Sequence, residues 1–289
     1  MIVKNKSFLV TQILINTILM VFGALTILPF LYMFTTSLLN DVTSLGNAIY
    51  LIPRQFHFEN YITGWNYIRM GPAYLNTLIV TIGSGVLHLA ITTAAAFPLS
   101  RHRFPGRNTI KYVFLGTLFI PSQVILVPTL VVLKSMGLMG RLSGVILPAV
   151  CDAFAIFVFV GFFKGIPREL EESAKMDGCS ELKILLNIYI PLSLAPMATI
   201  ALFHFLGVWN DVVLPALVLS VAGTLDKLTL SPLMTLFLNT QGVPMTKFLA
   251  PAPNIKAAVI IMNITPILIL YGFLQRFFRS GISLGALKG

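Results

Sequence analysis

Six stretches of this chain, at about 8–36, 73–98, 112–133, 143–163, 192–219 and 254–275, run for about 20 residues or more with at most one Asp, Glu, Lys or Arg each. No other feature narrows the fold as much. Inside hydrocarbon nothing but the chain itself can satisfy a backbone N–H or C=O, and a helix needs roughly 20 mostly apolar residues to cross. The expected fold is an all-α integral membrane protein of six transmembrane helices. The composition agrees: 56% apolar residues, 10% charged residues and a mean hydropathy of +0.88 lie outside the range of soluble domains. Prolines recur inside the runs (Pro29, Pro98, Pro121, Pro128, Pro148, Pro215 and Pro266). In lipid they predict kinked helices rather than loops, because neighbouring helices re-satisfy the freed carbonyls.

The first run follows Lys4 and Lys6 and so imitates a signal peptide, but its apolar stretch continues from Phe8 to Phe34, past the length of a signal's apolar region. It is expected to stay as the first span. Cleavage near residues 23–25 is the alternative, and the charge distribution disfavours it. With six spans, one side collects thirteen bases: Lys4, Lys6, Arg101, Arg103, Arg107, Lys111, Lys164, Arg168, Lys175, Lys183, Arg276, Arg279 and Lys288. The other side has seven: Arg54, Arg69, Lys134, Arg141, Lys227, Lys247 and Lys256. The positive-inside rule then places both termini in the cytoplasm. The net charge of +10 is largely this bias and contact with lipid headgroups, and the scattering of the bases between apolar runs speaks against nucleic acid. Cys151 and Cys179 are too few for a disulfide framework or a cysteine zinc site. Two long external segments, about 37–72 and 220–253, carry aromatics such as Phe56, Phe58, Tyr61, Trp65 and Tyr67. These fit a partner surface and a membrane-interface belt equally well.

Of the ten acidic residues, five (Glu169, Glu171, Glu172, Asp177 and Glu181) fall in one loop between the fourth and fifth spans. Pro167 at a first helical position, with acids in the turn after it, predicts a helix start. Glu171 and Lys175 are spaced i,i+4 to support that helix, and Asp177-Gly178 predicts its left-handed end. Residues 181–189 then predict a second short helix before Pro191 opens the fifth span. The product is a helix-turn-helix against the cytoplasmic face. Its small residues (Ser173, Ala174, Gly178) and outward carboxylates suit docking into a groove of a soluble partner, although a solvated amphipathic connector fits the composition too.

Spacing adds a resemblance. Glu172-Ser-Ala, three residues, Gly178, nine residues, Ile188, one residue and Ile190-Pro191 is similar to the EAA loop of ABC importer permeases, E-A-A-x3-G-x9-I-x-L-P, with Ser173 and Ile190 as departures. Phe58-Glu-Asn-Tyr61, Tyr74-Leu-Asn-Thr77, Ser100 to Arg107, Gly207-Val-Trp-Asn-Asp211 and Gly281 to Gly289 resemble the MalG-like carbohydrate permeases, the binding-protein-dependent transport system inner membrane components. Ala96-Phe-Pro-Leu-Ser-Arg101 resembles the LplC/YtcP-like subgroup, associated with oligosaccharides from complex or acidic polysaccharides such as alginate. The resemblance implies one MetI-like, type I importer permease domain over 1–289 in a bacterial inner membrane, with an EAA coupling loop at 166–191 and a carboxy-terminal tail at 278–289. It implies a second related permease, two ATP-binding subunits carrying ATP and Mg, an extracytoplasmic solute-binding protein and a carbohydrate substrate. Glu171, Glu172, Ser173, Ala174, Asp177 and Gly178 would couple to the ATPase, and Gly285, Ala286, Leu287, Lys288 and Gly289 would touch it.

No G-x4-G-K-[ST] occurs, so the chain has no phosphate-cradling loop of its own and no cofactor is expected on it. Gly281-Ile-Ser-Leu-Gly285 imitates a nucleophile elbow but follows a membrane helix, with no Asp or His downstream, which excludes a hydrolase. No metal-ligand spacing is present. Charged groups inside spans are functional candidates by default. Asp152 and Asp211, the latter after Trp209 and Asn210, could line the translocation path or make packing and inter-subunit hydrogen bonds, and His88 and His204 fit hydrogen bonding between helices. The rival function is an ion-coupled secondary transporter of a small polar solute built on these groups.

Overall fold

The computed structural model describes residues 6–40, 56–223, 225–238 and 252–286, and every regular element among them is helical. In chain order these are α1 (Lys6–Ser37), α2 (Glu59–Tyr67), α3 (Met70–Arg101), α4 (Arg107–Thr117), α5 (Ser122–Ser135), α6 (Ser143–Ala149), α7 (Ala153–Lys164) and α8 (Arg168–Met176). There follow α9 (Glu181–Ile184), a π-helical turn (Leu185–Tyr189), α10 (Ile190–Leu192), α11 (Leu194–Asn210), α12 (Val213–Leu219), α13 (Leu230–Leu238) and α14 (Pro253–Ala286). Leu287, Lys288 and Gly289 lie outside the described residues, as do Lys4, Lys247 and much of the two expected external segments.

Among the described residues, three helices are long and apolar enough to cross a membrane alone: Thr11–Ser37 within α1, Met70–Arg101, and Pro253–Arg276 within α14. The other expected spans are bent pairs. α4 meets α5 at 106°, α6 meets α7 at 43°, and Glu181–Leu192 meets α11 at 82°. Counting each pair as one crossing gives six.

Most of the expected kinking prolines, Pro29, Pro98, Pro128, Pro148 and Pro266, lie inside helices, and Pro215 sits in the first turn of α12. Pro121 differs. It stands in the break between α4 and α5 with ψ 135°, where its missing N–H and its clash with the preceding turn stop one helix and its fixed φ starts the next. The fifth span also departs from the expected boundary. The helix passes through Pro191, the wide π-turn having absorbed the missing hydrogen bond, and the break comes at Ser193, whose hydroxyl donates to Tyr189 O at 2.6 Å.

The contacts group into two compact units, residues 1–68 with 240–265 and residues 69–239 with 266–289. In the first, a buried amide knot explains the Phe58–Tyr61 segment. Asn60 Nδ2 donates to Ser37 O (2.9 Å) and Leu39 O (2.8 Å) at the end of α1. Asn254, at the start of α14, donates to Leu39 O, Asn40 O and Asn60 Oδ1, each at 3.0 Å, while Tyr61 and Ser37 share a 2.7 Å hydroxyl bond. These side chains satisfy helix-end carbonyls that lipid cannot.

The second unit is built around α3. Its core cluster joins Ala96, Phe97 and Leu99 of α3 to Ala155, Ile156, Phe159, Val160 and Phe163 of α7, and to Ile184, Leu185 and Tyr189. Asn76 Nδ2 donates to Asp226 O (2.8 Å) and Leu228 O (3.1 Å), and Thr77 Oγ1 accepts from Leu230 N (2.7 Å), so the Tyr74–Thr77 segment holds the entry to α13. Large apolar side chains on α1, α4 and α5 remain exposed, as lipid- or partner-facing helices permit.

Candidate functional site

The acidic loop folds as an elbow. α8 has Pro167 immediately before it and Glu169 and Glu171 in its first turn, where the helix dipole favours carboxylates. It ends in a Schellman turn: Gly178 adopts φ +75°, its N–H bonds to Lys175 O, and the Cys179 N–H reaches back to Ala174 O, both at 3.0 Å. Ala174 and Cys179, at the two ends of this turn's longer-range bond, both pack against the core cluster. Ser180 then caps α9 through the Lys183 N–H.

One expected docking residue points the other way. Glu171 is not an outward carboxylate: its side chain is 12% exposed and turned toward the helix bundle. Its Oε2 accepts from the Tyr189 hydroxyl at 2.8 Å and lies 3.6 Å from Arg101 Nε, and its Oε1 accepts from Lys175 Nζ at 2.8 Å. Arg101 is 4% exposed, donates to Ile166 O, and lies over the Tyr189 ring at 5.0 Å. Lys175 also reaches Glu181 Oε1 at 3.1 Å, and Glu181 Oε2 meets His102 Nε2 at 3.2 Å.

Partial burial pushes the Glu171 carboxyl up. The bonds from Lys175 and Tyr189, and the charges of Lys175 and Arg101, outweigh this and hold it below the ordinary carboxylate range. The bonds to Glu171 and Glu181 raise Lys175. Ligand atoms of His102, Glu171 and Glu181 lie within 4.8 Å of one another, a spacing a metal ion could use, but the Lys175 ammonium already bridges the two carboxylates. The cluster is a strut between α8, the end of α3 and the π-turn. Glu172, Ser173, Lys175, Met176, Asp177 and Gly178 form the exposed side of the elbow. Sequence reasoning found Lys175 by its spacing. It missed Tyr189, which occupies the unspecified position between Ile188 and Ile190, and it placed Arg101 among the side-determining bases and in segments of family resemblance without giving it a partner.

The expected path residues separate. Trp209 is fully buried, edge-on to Tyr74 and stacked on Phe205, while Asn210 donates to Leu206 O at 2.9 Å from an exposed position. Both acids lie at breaks between helices: Asp152 is the N-cap of α7, its Oδ1 accepting from Phe154 N (2.9 Å), and Asp211 closes α11 with its Oδ1 accepting from Val213 N (3.0 Å) at the start of α12. Asp211 also lines an open cavity of about 790 Å³ with Ser122, Gln123 and Thr129 of α5, amid apolar side chains. Asp152 lines a smaller one of about 240 Å³ with His88 and His204. The two histidines stack at 4.4 Å, His88 Nδ1 pairs with Val150 O (3.0 Å) and His204 Nε2 with Ser84 Oγ (2.8 Å), so they join α3 to the α6–α7 break and to α11. Gly285 and Ala286, of the expected carboxy-terminal tail, lie in the last turn of α14.

A family model described as binding-protein-dependent transport system inner membrane component matches residues 87–284. Protein LplC of Bacillus subtilis (strain 168) is 33% identical over 277 residues, covering 92% of this chain and 91% of that protein. The polygalacturonan/rhamnogalacturonan transport system permease protein YtcP of the same organism is 31% identical over 291 residues, covering 99% and 100%. A chain in the crystal structure of a bacterial ABC transporter involved in the import of the acidic polysaccharide alginate superposes with a TM-score of 0.83 over 95% of this chain and 98% of that one, at 24% identity, a likeness of fold.

Proposed function

The chain belongs to the family of binding-protein-dependent transport system inner membrane components, and on that premise we propose that it is one of two related permease subunits enclosing a path for an oligo- or polysaccharide. It acts as a permease and not as the energy-converting enzyme. Residues 1–289 form one permease domain of six spans with both termini in the cytoplasm, the elbow on that same side, and an extracytoplasmic binding protein delivering solute to the other. Two partner subunits bind ATP and Mg and supply the energy.

The observation that carries this reading is the elbow itself. A short helix with an exposed side at Glu172, Ser173, Asp177 and Gly178 is braced from behind by Glu171, Arg101, Tyr189 and Lys175 against the buried end of α3. A solvated connector needs no such brace; a lever does. ATP-driven closure of the partners moves α8, the brace passes that movement to α3 and α7, and rigid rotation of the attached helices exchanges inward-facing and outward-facing cavities. Ala174 seats the lever on the core, and residues 285–289 make a further contact with the ATPase. Asp211, with the polar side chains of α5, lines the path; Asn210 flanks it, Trp209 supports it, and Asp152 lines the smaller cavity. The ion-coupled alternative does not account for the family match; its candidate acids each accept one nearby backbone N–H, and its histidines pair with a hydroxyl and a carbonyl.

The substrate class rests on relatives that carry polysaccharide-derived solutes, including polygalacturonan/rhamnogalacturonan for YtcP. The test is reconstitution of the purified assembly with its binding protein and a panel of acidic and neutral oligosaccharides. Glycan-stimulated ATP hydrolysis and ATP-dependent uptake are expected; uptake driven by a proton or sodium gradient without nucleotide would overturn the reading.

A further inference from the structure

We propose that Arg107, Lys111 and Lys164 form a binding site for the phosphate headgroup of an anionic phospholipid, at the rim where α4 begins and α7 ends. Arg107 and Lys111 are spaced i,i+4 on α4, so they share one face, and Lys164 lies in the last turn of α7, which packs against α4. The three cations share one rim: Arg107 and Lys164 are both near enough for their charges to act on the Lys111 ammonium. Among the described residues Lys111 and Lys164 have no carboxylate and no hydrogen-bond acceptor. Arg107 donates Nε to Leu99 O and Nη2 to Ser100 O, both at 3.0 Å, which fixes the guanidinium and leaves Nη1 without an acceptor among those residues.

Three unneutralised cations gathered at one rim, with the Arg107 guanidinium fixed by its two carbonyl bonds, repel one another until an anion supplies the missing charge. The surroundings select a lipid over a soluble phosphate. Tyr112 is 71% exposed and Val113 62% exposed beside the cations, giving an amphipathic ring for the interface and an apolar surface for an acyl chain. This goes beyond the general excess of bases on one side of the membrane, because it assigns a headgroup to three named side chains. It does not depend on which solute is carried.

The test is native mass spectrometry of the full detergent-purified complex, titrated with phosphatidylglycerol or phosphatidylcholine, for wild type and for Lys111→Gln/Lys164→Gln. Phosphatidylglycerol should bind in preference to phosphatidylcholine. Its affinity should fall roughly thirtyfold in the double variant, from the attraction of an anionic leaflet for each basic residue. It should be unchanged in the charge-matched control Lys134→Gln/Lys227→Gln and kept in Lys111→Arg/Lys164→Arg, and glycerol 3-phosphate should not displace it. Equal binding by the glutamine variant, or equal binding of phosphatidylcholine, overturns the proposal. So does full displacement by glycerol 3-phosphate, which would make the site one for soluble phosphates. Loss of a protein subunit from the glutamine variant also overturns it, since this face would then meet protein.

Discussion

Replacing Glu171 with alanine tests the brace directly. Arg101, 4% exposed, would keep its charge beside Tyr189 with the carboxylate gone, and the Tyr189 hydroxyl and Lys175 would each lose an acceptor. Breaking a buried pair by removing one partner costs about 3–5 kcal/mol, and a hydrogen bond to a charged group contributes about 1.5–3. Two features reduce the loss. The Arg101–Glu171 separation is 3.6 Å, outside hydrogen-bond range, and Arg101 retains Ile166 O and the Tyr189 ring. We therefore expect about 3 kcal/mol of lost local stability, the lower end of that range. By hydrogen exchange on the purified complex, backbone amides of α8 and its turn should exchange roughly 100-fold faster, since each 1.4 kcal/mol is tenfold, while α3 amides outside the cluster stay protected. Tyr189→Phe should give a smaller increase, and the double variant less than the sum of the two, because both remove the same hydrogen bond. Exchange within threefold of wild type in Glu171→Ala, or strict additivity in the double variant, would refute the reasoning.

Three further outcomes are expected. In Gly178→Leu the added Cβ meets no atom within 4 Å, but a left-handed conformation is imposed on a branched residue at a cost of about 1–2 kcal/mol, so the complex should insert normally yet hydrolyse ATP without matching transport; full substrate-stimulated transport would contradict this. Because the folded-state carboxyl of Glu171 titrates below its unfolded value, its contribution is present above the unfolded value and disappears as pH falls through the folded one. Protection of α8, corrected for intrinsic exchange, should drop on acidification in wild type and lose that step in Glu171→Gln. In the first compact unit, Asn60→Ala leaves Ser37 O without its amide partner and removes the Asn254 partner Oδ1, which should cost about 2–4 kcal/mol and appear as a lower melting temperature of the purified complex.

The helical membrane fold was legible because apolar run length is a local property. The start of α8 at Pro167, its end at Asp177-Gly178 and the Glu171–Lys175 pair were legible for the same reason, since each depends on residues within one turn. What the sequence hid were long-range partnerships. Arg101 and Glu171 are 70 positions apart by number, and nothing near either one marks the other. The direction of Glu171 was therefore misread, because an amphipathic pattern does not say which carboxylate the bundle will claim. The helix breaks at 118–121 and 211–212 were hidden inside apolar runs, where composition does not distinguish a kink from a stop. The segments that carried the family resemblance turn out to have physical reasons. Asn60, Asn76, Thr77 and Arg101 tie segments far apart in the chain together, and Asp211 satisfies the backbone where α12 begins.

Cysteine cross-linking from the exposed side of α8 tests the central claim most directly. With Cys151 and Cys179 replaced, Glu172→Cys and Asp177→Cys should each cross-link to an ATP-hydrolysing subunit in the purified assembly, and more strongly when nucleotide closes that subunit. An assembly with no such subunit, or cross-links from these positions only to lipid or to the solute-binding protein, would contradict the account.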